Sequence, residues 1–113
     1  MSPTYSQPFA YTSAKDVAPG ITVHVMAAGR ALMQCWVRMR QGTVLPVHAH
    51  PHEQSSLIIS GRVIWTIEGR EKEGLPGSCT IFAPNQPHGA LVVEDCLIAD
   101  AFTPVREDYL PKA

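Results

Sequence analysis

The sequence has no long hydrophobic run and no excess of charge of either sign. Nowhere do about 18 apolar residues follow one another, the length that a membrane-crossing helix needs. Residues 1–16 lack the basic and apolar regions of a signal peptide. Nine basic residues face ten acidic ones, a formal net charge of -1, so no electrostatic attraction to nucleic acid is expected. We therefore expect no membrane partner, no nucleic-acid partner and no export.

Cysteine is scarce as well. Cys35, Cys79 and Cys96 are odd in number, lie in apolar runs and show no C-x-x-C spacing. These features indicate reduced thiols and a cytoplasmic location. The length of 113 residues suffices for one hydrophobic core but not for a separate regulatory module. We expect a single domain over residues 1–113, with residues 1–16 as an amino-terminal arm.

Sustained helical periodicity is also missing. Short apolar stretches, each closed by glycine or proline, follow one another along the chain instead, which is typical of an all-β protein. Residues 21–28 and 31–40 flank Gly29 and predict a tight hairpin. In the second stretch the odd-numbered positions from Met33 to Met39 are apolar, so this face is predicted to point inward.

Two further pairs of stretches extend the pattern. Residues 54–60 and 63–69 are predicted to be separate strands joined by a turn at Gly61, and residues 89–93 and 96–102 form a second such pair. About eight or more strands in so short a chain predict a sandwich or a small barrel, and closure would remove exposed strand edges.

Histidine is concentrated in one place. The chain has five histidines, and three of them lie in "HAHPHEQ", residues 48–54. In an extended strand, side chains two positions apart leave the same face roughly 6–7 Å apart, so His48 and His50 can converge on one ion. Gln54 or Glu53 can add a third ligand. The alternative interpretation is a polar turn with surface imidazoles.

The fourth ligand has to come from elsewhere in the chain. His88 follows Pro87 at the start of another predicted strand and is the favoured candidate. His24 is less suitable because it lies inside an apolar strand with no ligand residues beside it. His52 and Glu53 are interpreted as loop residues or as supports of the ligands.

The spacing around this cluster resembles the first motif of the cupin superfamily, G-x5-H-x-H-x3-E-x6-G. The matching positions, within residues 42–61, are Gly42, His48, His50, Gln54 and Gly61. The resemblance implies an all-β single-domain cupin, a double-stranded β-helix or jelly-roll antiparallel barrel. It also implies one divalent metal ion held by these two histidines, by Gln54 and by a histidine of the second motif.

The second motif is matched by residues 77–92, from Gly77 through His88. Asn85 stands where cupins often have glycine, and asparagine tolerates the left-handed backbone conformation better than most residues. Gln54 is the larger departure, because most cupins have a glutamate ligand there. Three imidazoles and an amide leave the +2 charge of the ion uncompensated, which favours Lewis-acid over redox chemistry. Nickel, zinc, iron, cobalt and manganese all suit such a site.

The carboxy-terminal stretch "DAFTPVREDYL", residues 100–110, narrows the resemblance to small cupins of the KdgF type. That resemblance implies conversion of 4,5-unsaturated monouronates, from pectin or alginate breakdown, to the linear 4-deoxy-5-keto uronate. The implied catalytic residues are Asp100, Phe102 and Arg106. Asp100 would move the proton, Arg106 would bind the substrate carboxylate, and Phe102 would pack against the sugar ring.

Two other functions are compatible with the sequence. A metal-dependent cupin dioxygenase or oxidoreductase would need a redox metal and usually a carboxylate in the site, which Gln54 does not supply. A non-catalytic cupin that binds sugars or metabolites would not need the tail motif. We expect a small sugar acid as the substrate and a homodimer as the assembly.

Overall fold

The computed structural model describes residues 14–110, which form eight β-strands and one short 3-10 helix. In chain order the strands are β1 (Ala14–Ala18), β2 (Ile21–Ala28), β3 (Met33–Met39), β4 (Val44–His48), β5 (Glu53–Ile67), β6 (Arg70–Gly74), β7 (Cys79–Phe82) and β8 (His88–Thr103). The helix spans Glu107–Tyr109. Most of the arm predicted for residues 1–16 lies outside the described residues. No helix within residues 14–110 is long and apolar enough to cross a membrane.

The strands pair antiparallel throughout, in the order β1-β2-β3-β8-β5-β6, with β4 on β8 and β7 on β5. The first half of β5 pairs with β7 and the second half with β6. In the same way β8 pairs with β4 near its start and with β3 near its end. The two long strands therefore pass from one sheet to the other and close the sheets face to face. The predicted all-β antiparallel barrel is confirmed.

The turn predicted at Gly61 is wrong, and so is the separation of residues 89–93 from 96–102. β5 continues through Gly61, and irregular pairing with β8 between Ile58 and Val63 bends it instead of reversing it. Gly61 has a φ of 89°. A Cβ atom there would lie 2.0 Å from the carbonyl oxygen of Asp95, so only glycine allows the two long strands to approach this closely.

The barrel interior is built by alternation along the strands. Met33, Cys35, Val37 and Met39 are buried on β3, as their spacing predicted. The hairpin between β2 and β3 is also confirmed, with the Gly29 amide donating to the Leu32 carbonyl. On β8 the same alternation buries Ile98, Asp100 and Phe102, which places a carboxylate inside an otherwise apolar layer.

Candidate metal centre

The fold brings three of the predicted ligands together. His48 ends β4 and pairs with His88 at the start of β8, while His50 lies in the loop that leads into β5. One nitrogen from each ring lies within 4.8 Å of the others. His88 and His50 are buried and His48 is half-buried. The three histidines can therefore hold a metal ion between the two sheets.

Two of the rings are oriented by the backbone. Nδ1 of His48 lies 3.0 Å from the carbonyl oxygen of Pro46, and Nδ1 of His88 lies 2.8 Å from that of Gln86. A carbonyl oxygen only accepts hydrogen bonds, so Nδ1 carries the proton in both rings. Each Nε2 then keeps its lone pair for a metal, an arrangement common in protein metal sites.

Burial keeps the imidazoles of His50 and His88 neutral. Burial and, to a smaller extent, the positive charge of Arg106 lower the pKa of His50 to about 4. Burial also lowers the pKa of His88, with smaller contributions from His48 and Arg106. Neutral imidazole is the form that binds metal, so these two rings need not release a proton near pH 7.

The loop that carries His50 is tied to the second motif. The backbone amide of Asn85 donates to the His50 carbonyl over 2.7 Å. Asn85 has a φ of 62°, so the left-handed conformation expected from glycine at this motif position is adopted by asparagine. The turn between β7 and β8 thus helps to position the His50 loop.

Gln54 supplies a suitable fourth donor. Its Nε2 donates to Ser56 Oγ over 2.9 Å and to Asp100 Oδ2 over 3.4 Å. These contacts turn Oε1 toward His50, whose Nε2 donates to it over 3.0 Å. To bind a metal through Nε2, the His50 ring would carry its proton on Nδ1, which has no partner among the described residues. Two ligand atoms that each lie about 2.1 Å from one ion are about 3 Å apart when their two bonds to the ion form a right angle. The spacing and the chemistry of the four donors therefore fit a divalent ion, with no carboxylate among the donors.

Asp100 contacts the Gln54 amide and is buried in the barrel. Burial raises its pKa to about 7, although hydrogen bonding to Ser56 and the charge of Arg106 oppose the shift. Among the described residues, Oδ1 has no hydrogen-bond partner. Asp100 lines the cavity, and its carboxyl group can carry or release a proton near neutral pH.

Arg106 is held in a cage of tail residues. Its Nη2 and Nε donate to the two carboxylate oxygens of Asp108 over 2.9 Å and 3.3 Å. The guanidinium lies 4.0 Å from the ring centroid of Tyr109 and 5.3 Å from that of Phe102. The Arg106 side chain is 15% exposed against 58% for Asp108. The Arg106 guanidinium thus lies on the cavity side of this ion pair, and the Asp108 carboxylate lies on the solvent side.

One cavity of about 370 Å³ joins these groups. Six of the seven predicted site residues line it, namely His48, Gln54, His88, Asp100, Phe102 and Arg106. His50 reaches the group through Gln54. His52 lies beside His50 and Phe102, with ring centroids 5.4 Å and 6.4 Å away, whereas Glu53 is exposed. The catalytic roles of Asp100, Phe102 and Arg106 stay predictions.

Sequence reasoning missed two residues of this arrangement. Ser56 fixes the orientation of the Gln54 amide, and its position two residues further along β5 was a usable signal, because strand alternation places both side chains on one face. Asp108 holds Arg106, and the spacing of the two in "REDY" gave no indication of it, since the contact depends on the 3-10 helix.

The double-sheet barrel with a histidine cluster between its sheets has the architecture of a cupin. Residues 35–96, more than half of the chain, match the family described as Cupin domain. The chain belongs to the cupin family. A comparison with curated proteins finds no match.

Solved structures refine this placement. KdgF from Halomonas sp. is similar with a TM-score of 0.81 and 32% identity over 86% of this chain and 90% of that chain. An RmlC-like cupin from Shewanella frigidimarina is similar with a TM-score of 0.87 and 25% identity over 97% of this chain and 100% of that chain. The resemblance to small cupins of the KdgF type is confirmed.

A more distant similarity concerns the fold alone. Ectoine synthase from P. lautus has a TM-score of 0.74 and 13% identity over 84% of this chain and 72% of that chain. The same barrel thus supports different activities, so function has to be argued from the site.

Proposed function

We propose that the protein is a metal-dependent enzyme that converts 4,5-unsaturated monouronates to the linear 4-deoxy-5-keto uronate. The observation that carries this proposal is the position of Asp100. Its Oδ1 has no partner among the described residues and its Oδ2 is 3.4 Å from the amide of the candidate ligand Gln54. A proton-carrying group thus stands beside a Lewis-acid site in one cavity. The resemblance to KdgF of Halomonas sp. supports the choice of substrate.

The reaction rearranges bonds without gain or loss of atoms. A proton leaves the C1 hydroxyl of the cyclic hemiacetal, the bond between C1 and the ring oxygen breaks, and C1 becomes an aldehyde. The ring oxygen becomes the enol oxygen on C5, and a proton added at C4 converts the enol to the ketone. Asp100 accepts or donates the proton, and its enclosure in the barrel keeps bulk water from competing with it.

Arg106 and Phe102 position the substrate in this proposal. The positive charge of Arg106 acts on Asp100, His50 and His88, so it also attracts a uronate carboxylate. Phe102 lies on the same face of β8 as Asp100 and lines the cavity. It offers an apolar surface to one face of the sugar ring.

His48, His50, Gln54 and His88 would hold the divalent ion. When bound there, such an ion supplies Lewis-acid stabilisation of negative charge on a substrate oxygen. The donor set suits nickel, zinc, iron, cobalt or manganese.

The direct test is ring opening by the purified protein. A 4,5-unsaturated monouronate absorbs in the near ultraviolet through its conjugated enol carboxylate, and the absorbance disappears as the ring opens. We expect the metal-loaded protein to accelerate this loss over the spontaneous rate with a pectin- or alginate-derived monomer. If neither monomer reacts faster than it does without protein, the enzyme proposal is wrong and a binding function replaces it.

We also propose a cytoplasmic homodimer. The free thiols of Cys35, Cys79 and Cys96 suit a reducing compartment. Ile59 on β5 and Ile81 on β7 are exposed apolar residues of adjacent strands, as the surface that contacts a second copy would be. Light scattering at micromolar concentration should return twice the mass of one chain, and a monomer would contradict this.

A further inference from the structure

The cavity is bordered by an edge strand and by the tail. β1 pairs with β2, and Lys15, Asp16, Val17 and Ala18 of β1 all line the cavity, as do Asp108 and Tyr109 of the 3-10 helix. The Lys15 side chain reaches from β1 to the 3-10 helix, where its ammonium group donates to the backbone carbonyl of Asp108. Lys15 therefore brings a second cation to the cavity that holds Arg106.

The two cations differ in how they are neutralised. Arg106 forms a two-point ion pair with the Asp108 carboxylate. Lys15 has a neutral carbonyl as its acceptor, and within residues 14–110 no carboxylate lies within ion-pair distance of it. The adjacent carboxylate of Asp16 instead accepts a hydrogen bond from Thr22 Oγ1 over 2.8 Å. A carboxylate is a stronger acceptor than a carbonyl. The carboxylate of an incoming ligand can therefore replace the Asp108 carbonyl as the acceptor of the Lys15 ammonium without breaking an ion pair.

The rest of the cavity wall gives a carboxylate few alternatives. Much of the cavity wall is formed by buried apolar side chains, namely Ile21, Val23, Val37, Met39 and Ile98. A carboxylate facing that wall would lose its hydration without gaining a partner, which is costly. Outside the candidate metal centre, the charged end of an acidic ligand is thus directed toward Lys15 and Arg106.

We propose that Lys15 is a substrate-binding residue that pairs with the carboxylate of a uronate in this cavity. The inference rests on the proposed function for its choice of ligand. It adds a binding residue from β1, outside the two cupin motifs and the tail motif. Arg106 then contributes positive potential and orientation, while Lys15 supplies the ammonium that the anion contacts.

The experiment measures binding of an unreactive probe to the metal-loaded protein by calorimetry. D-galacturonate carries the carboxylate, and D-galactose is its neutral counterpart. Three variants separate the roles of Lys15. Lys15→Arg keeps the charge, Lys15→Gln keeps a donor for the Asp108 carbonyl without the charge, and Lys15→Met removes both. Lys72→Gln is the matched control, because Lys72 is exposed on β6. Melting temperature and metal content are recorded for each variant.

We expect Lys15→Gln and Lys15→Met to weaken galacturonate binding ~10-fold or more, the scale of one charge-assisted hydrogen bond. The preference of these two variants for galacturonate over galactose should fall as well. Lys15→Arg and Lys72→Gln should bind galacturonate with an affinity close to that of the wild type. Wild-type affinity in Lys15→Gln would show that Lys15 only ties β1 to the tail, and would overturn the inference. A wild-type protein that binds galacturonate no more tightly than galactose would also overturn the inference. Galacturonate binding that depends on Lys15, without any ring opening, would instead reject the proposed reaction and leave the binding role intact.

Discussion

The amide of Gln54 connects the candidate metal centre to the buried carboxylate of Asp100. Its oxygen lies 3.0 Å from Nε2 of His50, and its nitrogen lies 3.4 Å from Oδ2 of Asp100. A glutamate at this position would bring a second negative charge against Asp100, which disfavours ionisation of both groups. The neutral amide therefore allows a metal ligand and a separate proton-carrying group to occupy adjacent positions.

Removing a histidine ligand should remove the metal. We expect His48→Ala and His88→Ala to lose most of the metal found in wild-type protein, because each ring supplies one of three clustered donors. Elemental analysis of freshly purified protein is the measurement, and His52→Ala, outside the cluster, is the control. Wild-type protein without metal, and without binding of added divalent ions, would contradict the metal centre itself.

Ser56 should matter for metal affinity although it is not a ligand. Ser56→Ala removes an acceptor that fixes the Gln54 amide, so we expect metal affinity to fall ~10-fold or more, as for other residues that orient a ligand. Ser55→Ala is a close control, since Ser55 lies on the opposite face of β5 and contacts Cys79. Competition with a metal-binding dye measures both affinities. Equal affinities in the two variants would show that the amide needs no such support.

The stability of the metal-free protein should report the burial of Asp100. Its pKa is raised from 3.8 to about 7, so between these values the folded protein binds a proton that the unfolded chain has lost. This contribution to stability is present at low pH and is lost as the pH rises through about 7. Asp100→Asn has no such loss. Its melting temperature relative to wild type should therefore rise from pH 4 to pH 7 and then level off.

The lowered pKa of His50 acts in the opposite direction in both proteins, so the difference between them isolates Asp100. Thermal melts in the presence of a chelator provide the measurement. A difference in melting temperature that does not change with pH would show that the carboxylate is hydrated or paired in solution.

Arg106 should affect substrate binding more than the chemical step. Arg106→Ala removes the guanidinium from the cage of Asp108, Tyr109 and Phe102, so we expect KM to rise ~10-fold or more with a smaller change in kcat. Arg62→Ala is the matched control, since Arg62 pairs with Glu73 on the surface. A fall in kcat at unchanged KM would instead place Arg106 in the chemical step.

Much of the barrel follows from local rules. Alternation on β3 predicted which side chains point inward, and motif spacing predicted that His48 and His88 meet. The continuity of β5 through Gly61 was not predictable in the same way. A glycine with a positive φ suits both a tight turn and a bulge, and the close approach of the Asp95 carbonyl, which distinguishes them, is a long-range contact.

The contact of Lys15 was unpredictable for the same reason, because it joins β1 to the 3-10 helix at the other end of the described chain. The ion pair between Arg106 and Asp108 is local, but it depends on the 3-10 helix, which no periodicity indicates. The contact between the Gln54 amide and Ser56 could have been predicted from the sequence, because the two residues share one face of one strand.

Turnover by Asp100→Asn tests the central claim most directly. Asparagine is close to aspartate in size but cannot carry the proton, so the metal-loaded variant should retain metal content and galacturonate affinity. Its rate of ring opening, followed by the loss of near-ultraviolet absorbance, should fall on the order of 100-fold or more. Full activity in the metal-loaded variant would contradict the account, because Asp100 would then be structural and another group would have to move the proton.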